Sequence, residues 1–350
     1  MNNATSARML LVGDVSAINH PHGLGYLMEK VEGEFHSSDL VYANLEFPIT
    51  DRGEFDMNKI WKVPLAMKPD AGKILAKSGI HVMSMATNHI MDFGPEGMLR
   101  SVGVLDENGI KHCGAGRNRD EAHQPVIFER NGVRIAFLAY TSVFSSTGTA
   151  GASTPGMATV QVKTAFMSDQ RIFEQPGTPP VAIYMPNEDD MNEMRNDVRK
   201  ARDAADVVVV AWHWGVSASR KHVSYQTELG RAAIDVGATL VIGHHSHVLH
   251  GVEVYKKGAI FYSLGDFVCW SGESPADTHE PSTVILDCKL ERKGLTEITL
   301  IPVQIGHDAQ PTVAKNAKGA QILQGLVKSS KPLGTSFRDV GGTLILDMPE

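Results

Sequence analysis

Apolar runs short enough for buried strands recur along this chain, and five of them end on residues that carry oxygen or nitrogen ligand atoms. Residues 9–12 run into Gly13 and Asp14, and residues 40–43 into Asn44, Leu45 and Glu46. Residues 81–86 lead to Thr87, Asn88 and His89, and residues 207–212 end at His213. Residues 238–242 deliver the densest group, Gly243-His244-His245-Ser246-His247. Helical patterns alternate with these runs. The stretches 70–78, 95–108 and 225–236 are closed by Gly79, Gly109 and Gly237, the residue type that most readily takes the left-handed turn after a helix. A further helix is expected near 26–32. Other strands are expected at 110–113, 134–140, 251–255, 259–263, 283–290 and 295–303. Two thirds of βα repeats followed by a mostly β third predict an α/β fold of stacked sheets with helices outside.

Residues 144–182 break this rhythm. They are rich in Gly, Ser, Thr, Ala and Pro and show little periodicity, which reads as a lid, a binding loop or disorder. The charged stretch 187–205 predicts a helix. The expectation is one domain over 1–350, with a lid or insert at 144–206 and a mostly β part at 251–350.

The candidate chemistry lies at the strand ends, where open α/β sheets place their sites. His245 and His247 are two residues apart. In an extended segment both rings would face one side, and one ion could take both. A set of imidazole, carboxylate and amide ligands suits Mn, Fe or Zn rather than Ca. Trp212 and Trp214 flank His213, and alternation puts both on the face opposite to it.

Composition narrows the classes. With 350 residues, 42% hydrophobic and 21% charged, the chain reads as an ordinary globular protein with a large core. A net charge of −7 without a basic tract argues against nucleic acid as the main partner. Cys113, Cys269 and Cys288 are scattered and not in metal-type spacing, which suits a reducing compartment. No apolar run reaches the roughly 20 residues of a membrane span, so a cytoplasmic protein with no membrane segment is expected.

Taken in order, the motifs resemble the CapA family of poly-γ-glutamate capsule synthesis, within the calcineurin-like metallophosphatase superfamily. The matching stretches are Gly13-Asp14-Val15, the run from Val41 through Asn44-Leu45-Glu46-Phe47-Pro48 to Thr50, and Ala86-Thr87-Asn88-His89-Ile90-Met91-Asp92-Phe93-Gly94. Gly114-Ala115-Gly116, Trp212-His213-Trp214-Gly215, Gly243-His244-His245-Ser246-His247 and Tyr262-Ser263-Leu264-Gly265-Asp266-Phe267 follow. The resemblance implies a four-layer α/β/β/α sandwich with a two-metal site at one sheet edge. By that resemblance Asp14 and His247 hold one ion, Asn88, His213 and His245 hold the other, and Glu46 bridges them. His89 stands by as proton donor or electrostatic stabiliser, and Asp92 orients it. This chain departs from the superfamily at Ser16, which stands where the first motif has a ligating His, so His20 or His22 is a candidate replacement. Asp266 stands where the family has Asn, adding a charge.

These residues imply a metal-dependent hydrolase. A metal-bound hydroxide would cleave a phosphoester or amide bond of a small or short oligomeric, anionic substrate. His244, Trp214, Arg220, Lys221 and His222 are candidate substrate contacts, with Lys62 and Lys68 in the loop after Glu46 as second choices. The competing reading is an accessory protein of capsule-polymer synthesis, in which the metal is structural or vestigial. The oligomeric state is left open.

Overall fold

The computed structural model describes residues 6–18, 22–57, 59, 64–270 and 281–349. Two mixed sheets dominate. In the first, β1 (Ser6–Ala17), β2 (Leu40–Leu45) and β3 (Val82–Ser84) run parallel. In the second, β4 (Val133–Thr141), β5 (Val207–His213) and β6 (Leu240–His244) run parallel. Back on the first sheet, β7 (Asp266–Trp270) lies parallel to β1 on part of its length. The long strands β8 (Ser282–Glu291) and β9 (Gly294–Ile305) extend that sheet antiparallel.

The central strands read as continuous apolar runs because both of their faces are covered. Alternation then sends neighbouring residues to opposite sides. Leu11 and Val209 join Tyr42, Phe137 and Phe261 in a cluster drawn from both sheets. Leu10 and Val12 turn the other way, toward Leu75 of α1 (Asp70–Lys77) and Met98 and Leu105 of α2 (Gly94–Glu107). Val208 and Val210 face Met194 and Val198 of α3 (Glu188–Ala204) and Leu229 and Ala233 of α4 (Ser224–Asp235). Each Val, Leu, Phe or Met among them contributes roughly 1.5–3 kcal/mol on burial. The α/β expectation therefore holds, with helices on the outer faces of the sheets.

The C-terminal third is mostly β, as expected, but its strands are joined by a helix that the sequence pattern did not show, α5 (Asn316–Ser330). Ile322, Leu323 and Leu326 of that helix pack into the cluster drawn from both sheets. Gly319 and Gly325 lower its local helix propensity and mask it in the sequence. Residues 162–186 are not patternless, since Val162–Met167 and Val181–Pro186 pair as an antiparallel hairpin. The following helix is part of the core rather than a cover. Its Asn187 side chain accepts from the Asp189 and Asp190 amides and starts the helix as an N-cap. Near 26–32 there are two short helices, Gly23–Met28 and Glu32–His36. Among the described residues, no helix is long and apolar enough to cross a membrane.

Candidate metal centre

Strand register assembles the cluster. Asp14 pairs with Asn44 of β2 on one side and with Asp266 of β7 on the other. The ladder shifts register on both sides of Asp14, and such irregularities re-aim a side chain at a sheet edge. Gly13 is required for this approach, because a Cβ there would stand 2.0 Å from the Gly265 carbonyl oxygen. The next amide, Asp14 N, donates to that same carbonyl at 3.0 Å. In the second sheet, His213 pairs with His244 at the ends of β5 and β6.

Past β6 the chain does not stay extended. His245 and His247 have φ of 85° and 59°, in the left-handed region that β-carbon-bearing residues seldom occupy. Backbone strain of this kind concentrates at functional sites. Its effect is to separate the two rings. His245 Nδ1 comes 3.2 Å from His213 Nε2, whereas His247 Nδ1 comes 2.9 Å from Asp266 Oδ1. The expectation of two rings on one face of an extended segment is therefore corrected.

Two groups result, sharing Asp14. Within each of Asp14, Glu46, His213 and Asp14, His247, Asp266, one ligand-type atom per residue lies within 4.8 Å of the others. Around His213 Nε2 stand Asn88 Oδ1 at 2.7 Å, His245 Nδ1 at 3.2 Å and Glu46 Oε2 at 3.7 Å. On the other side, His247 Nδ1 is 3.8 Å from Asp14 Oδ2, and its Nε2 is 3.9 Å from Glu46 Oε1. Glu46 thus reaches toward both groups.

This donor set fits a divalent cation. Glu46 Oε1, 3.9 Å from His247 Nε2 and 4.0 Å from His89 Nε2, is buried with no hydrogen-bond partner among the described residues. Buried polar atoms without a partner are costly, and convergent lone pairs are what a bound cation satisfies. Burial, and then the charge of Asp14, push the Glu46 carboxyl well above the usual carboxylate range. Burial, and then His245, hold His213 well below the ordinary imidazole value.

His89 stands beside this cluster. Its Nδ1 bonds Asp92 Oδ2 at 2.8 Å, its Nε2 is 4.0 Å from Glu46 Oε1, and its ring packs on Phe47. Burial lowers its pKa, partly opposed by Asp92. The other oxygen of Asp92 accepts from Lys59, whose Nζ also donates to the Asn88 carbonyl at 2.8 Å. Lys59 was not singled out from the sequence. It lies in the same stretch after Glu46 as Lys62 and Lys68, and only the fold brings it to Asp92.

Behind the cluster runs a chain of buried polar contacts. Asn44 Nδ2 donates to Asp14 Oδ1 at 2.8 Å, and Ser84 Oγ donates to Asn44 Oδ1. The Tyr42 hydroxyl bonds Ser84 Oγ at 2.6 Å and His244 Nε2 at 3.0 Å. His244 Nδ1 closes the circuit 2.9 Å from Asp14 Oδ1, at an angle outside hydrogen-bond alignment. Asp14 is fixed from behind by the groups that most metal sites need around their ligands.

Several expected substrate contacts lie elsewhere. His244 is buried in this supporting circuit. Trp214 is fully buried, stacked on Trp212 with its Nε1–H on the Tyr262 carbonyl, so it packs the core rather than walling a pocket. Both tryptophans do lie opposite His213, in the cluster formed with α3 and α4. Arg220, Lys221 and His222 line a separate cavity. Lys68 is exposed just before α1. His22 is exposed and packs against Tyr26, so it does not supply the ligand that Ser16 lacks. His20 and Lys62 lie outside the described residues. Ser16 is buried, and its hydroxyl has no partner among the described residues. The group that stands beside His247 is Asp266, which the sequence marked only as an extra charge.

Residues 8–271 match the family described as Bacterial capsule synthesis protein PGA_cap. The chain is 30% identical over 319 residues to the PGA biosynthesis protein CapA of Bacillus subtilis, covering 90% of this chain and 75% of that one. It is 27% identical over 333 residues to the capsule biosynthesis protein CapA of Bacillus anthracis, covering 92% and 73%. A probable polyglutamine synthesis accessory protein of Mycobacterium tuberculosis matches at 28% over 236 residues, covering 66% and 56%. Among solved structures, TT1561 of Thermus thermophilus aligns at 10% identity with a TM-score of 0.38, covering 83% of this chain and 98% of that one.

Proposed function

This chain belongs to the bacterial capsule synthesis protein family, and on that premise we propose that it is a metal-dependent hydrolase of a phosphoester or amide bond. Its substrate is a small or short oligomeric anion. Asp14 and His247 would hold one divalent ion and Asn88, His213 and His245 a second, with Asp14 and Glu46 close enough to serve both. Asp266 joins the first set. Mn, Fe or Zn suits these donors. When bound, such ions polarise the oxygen of the scissile group and acidify water.

The observation that carries the reading is the His89–Asp92 pair. A binding-only site has no use for an imidazole held at Nδ1 by a carboxylate with its Nε2 turned to the cluster. Near pH 7 its lowered pKa leaves the ring neutral, with Nδ1–H on Asp92 and a lone pair at Nε2. Nε2 can take a proton from the attacking water and give it to the leaving group. Asp92 and Lys59 keep that ring in place. The buried thiols Cys113 and Cys288 are free, which fits a reducing, cytoplasmic setting.

The names of the relatives favour a second reading, an accessory role in polymer synthesis with a structural metal. One experiment separates the two. The protein is loaded with Mn and assayed on a phosphodiester, a phosphomonoester and a γ-glutamyl amide, beside His89→Ala. The hydrolase reading expects turnover of one substrate, and a fall of about 10²–10⁴-fold in His89→Ala with metal content unchanged. Bound metal with no turnover of any substrate supports the accessory role. Loss of the metal in His89→Ala refutes the assigned role of that residue.

A further inference from the structure

A cavity of about 770 Å³ lies away from the metal cluster, between the loop that carries Arg220, Lys221 and His222 and the C-terminal helix α5. Its described lining includes none of the proposed metal ligands. Its volume is that of a small-molecule site. Its charge is unlike that of the rest of the protein. The chain carries −7 overall, yet Arg220, Lys221, Lys318 and Lys328 line this cavity, and the described lining contains no Asp or Glu.

Two features give it shape. On α5, Lys318, Ile322, Gly325 and Lys328 line the cavity at helical spacing, so one face of the helix forms its wall. Gly325 leaves open space there, since a Cβ at this position would meet nothing within 4 Å. Opposite, the His222 ring lies flat on Tyr262, with centroids 3.8 Å apart and planes 5° apart, which fixes the far wall. Leu249, Ile322, Leu326 and Leu333 supply apolar surface between the cationic ends. Lys318 and Lys328 are ten residues apart on one helix, roughly 15 Å along its axis. One compact anion cannot meet both.

We propose that this cavity is a second binding site, for an organic anion whose carboxylates are separated by an apolar chain. A concave surface whose described lining carries only positive charges concentrates such a ligand even in a protein of opposite net charge. The site stands apart from the hydrolase reading and does not depend on it.

The test uses the full chain and three probes: azelate, glutarate and inorganic phosphate, titrated calorimetrically at low salt. Azelate, with its longer spacer, should bind at least about tenfold more tightly than glutarate or phosphate, a difference of about 1.4 kcal/mol. The double variant Lys318→Gln, Lys328→Gln should lose azelate affinity by about tenfold or more. Both lysines are on the helix surface and glutamine keeps helix propensity, so circular dichroism should be unchanged. Lys328→Gln alone should give a smaller loss. His213→Ala, which damages the metal cluster, should bind azelate as the native protein does. No saturable azelate binding, equal binding of phosphate, or unchanged binding in the double variant would overturn the proposal. So would loss of azelate binding in His213→Ala, which would put the anion at the metal cluster.

Discussion

His245 and His247 share one turn, yet the two sides of the cluster give them opposite electrostatics. On the His213 side, burial, and then the charge of His247, push His245 down to about 3. On the Asp266 side, burial works against the charged form of His247, but Asp266, then Glu46 and Asp14, carry it up to about 10. One side is a pair of neutral imidazoles with lone pairs available. The other is an imidazolium locked to carboxylates. Two histidines of one turn are thus prepared differently, and the cause is which strand each left-handed residue turns toward. A cation can enter the first side without displacing a proton from its imidazoles. To enter the second it must displace the proton of His247.

Asp14 is common to both sides, so replacing it has the largest effect on this contrast. Asp14→Asn keeps the volume and leaves an amide oxygen to accept from Asn44, but removes the shared charge. Both ions should weaken by more than about 100-fold, beyond the loss typical when an outer-shell partner is removed. Metal per chain after dialysis reads this directly. An Asp14→Asn protein that still holds one ion tightly would mean that Asp14 serves one side alone.

Next in size come the variants that break one side each. His213→Ala should lose the ion on its own side and keep the other, so that metal content falls from two per chain to one. Asp266→Asn should weaken the His247 side by about 10–100-fold and spare the His213 side. Mn titration followed by electron paramagnetic resonance distinguishes a single ion from a coupled pair. If either variant abolishes both ions, the two sides form one inseparable site.

Much of this was legible from residue order, because parallel strands deliver their C-terminal residues to one edge whatever their exact register. Asp14, Glu46, Asn88, His89, His213 and the histidine turn were found that way, and the contact of His89 with Asp92 is the one the family resemblance implied. What stayed hidden depended on backbone conformation or on distant partners. Alternation assumes extended φ, so it misplaced the rings of His245 and His247. Asp266 meets Asp14 only through a parallel pairing that spans most of the chain. Lys59 reaches Asp92 from an unpatterned loop. Trp214 looked like a pocket wall because a residue just past a strand end can face either way, and here it follows the strand alternation inward.

The smallest effect is also the most diagnostic, because it asks whether the two histidines titrate in opposite directions. His245 is depressed in the folded state, so the unfolded chain binds its proton more readily. The metal-free fold should therefore lose stability as pH falls below the ordinary imidazole value near 6.5 toward about 3. His213, also depressed, adds to that loss. His247 is raised, so the folded state holds its proton more tightly. Its contribution is fully present below about 6.5 and is lost as pH rises toward about 10. Chelator-treated protein should then show a Tm maximum near neutrality with a decline on each side. Asp266→Asn removes the largest cause that raises His247, so it should flatten the alkaline decline and leave the acid decline in place. Equal flattening on both sides, or none, would show that the two imidazoles are not set apart by the carboxylate beside one of them.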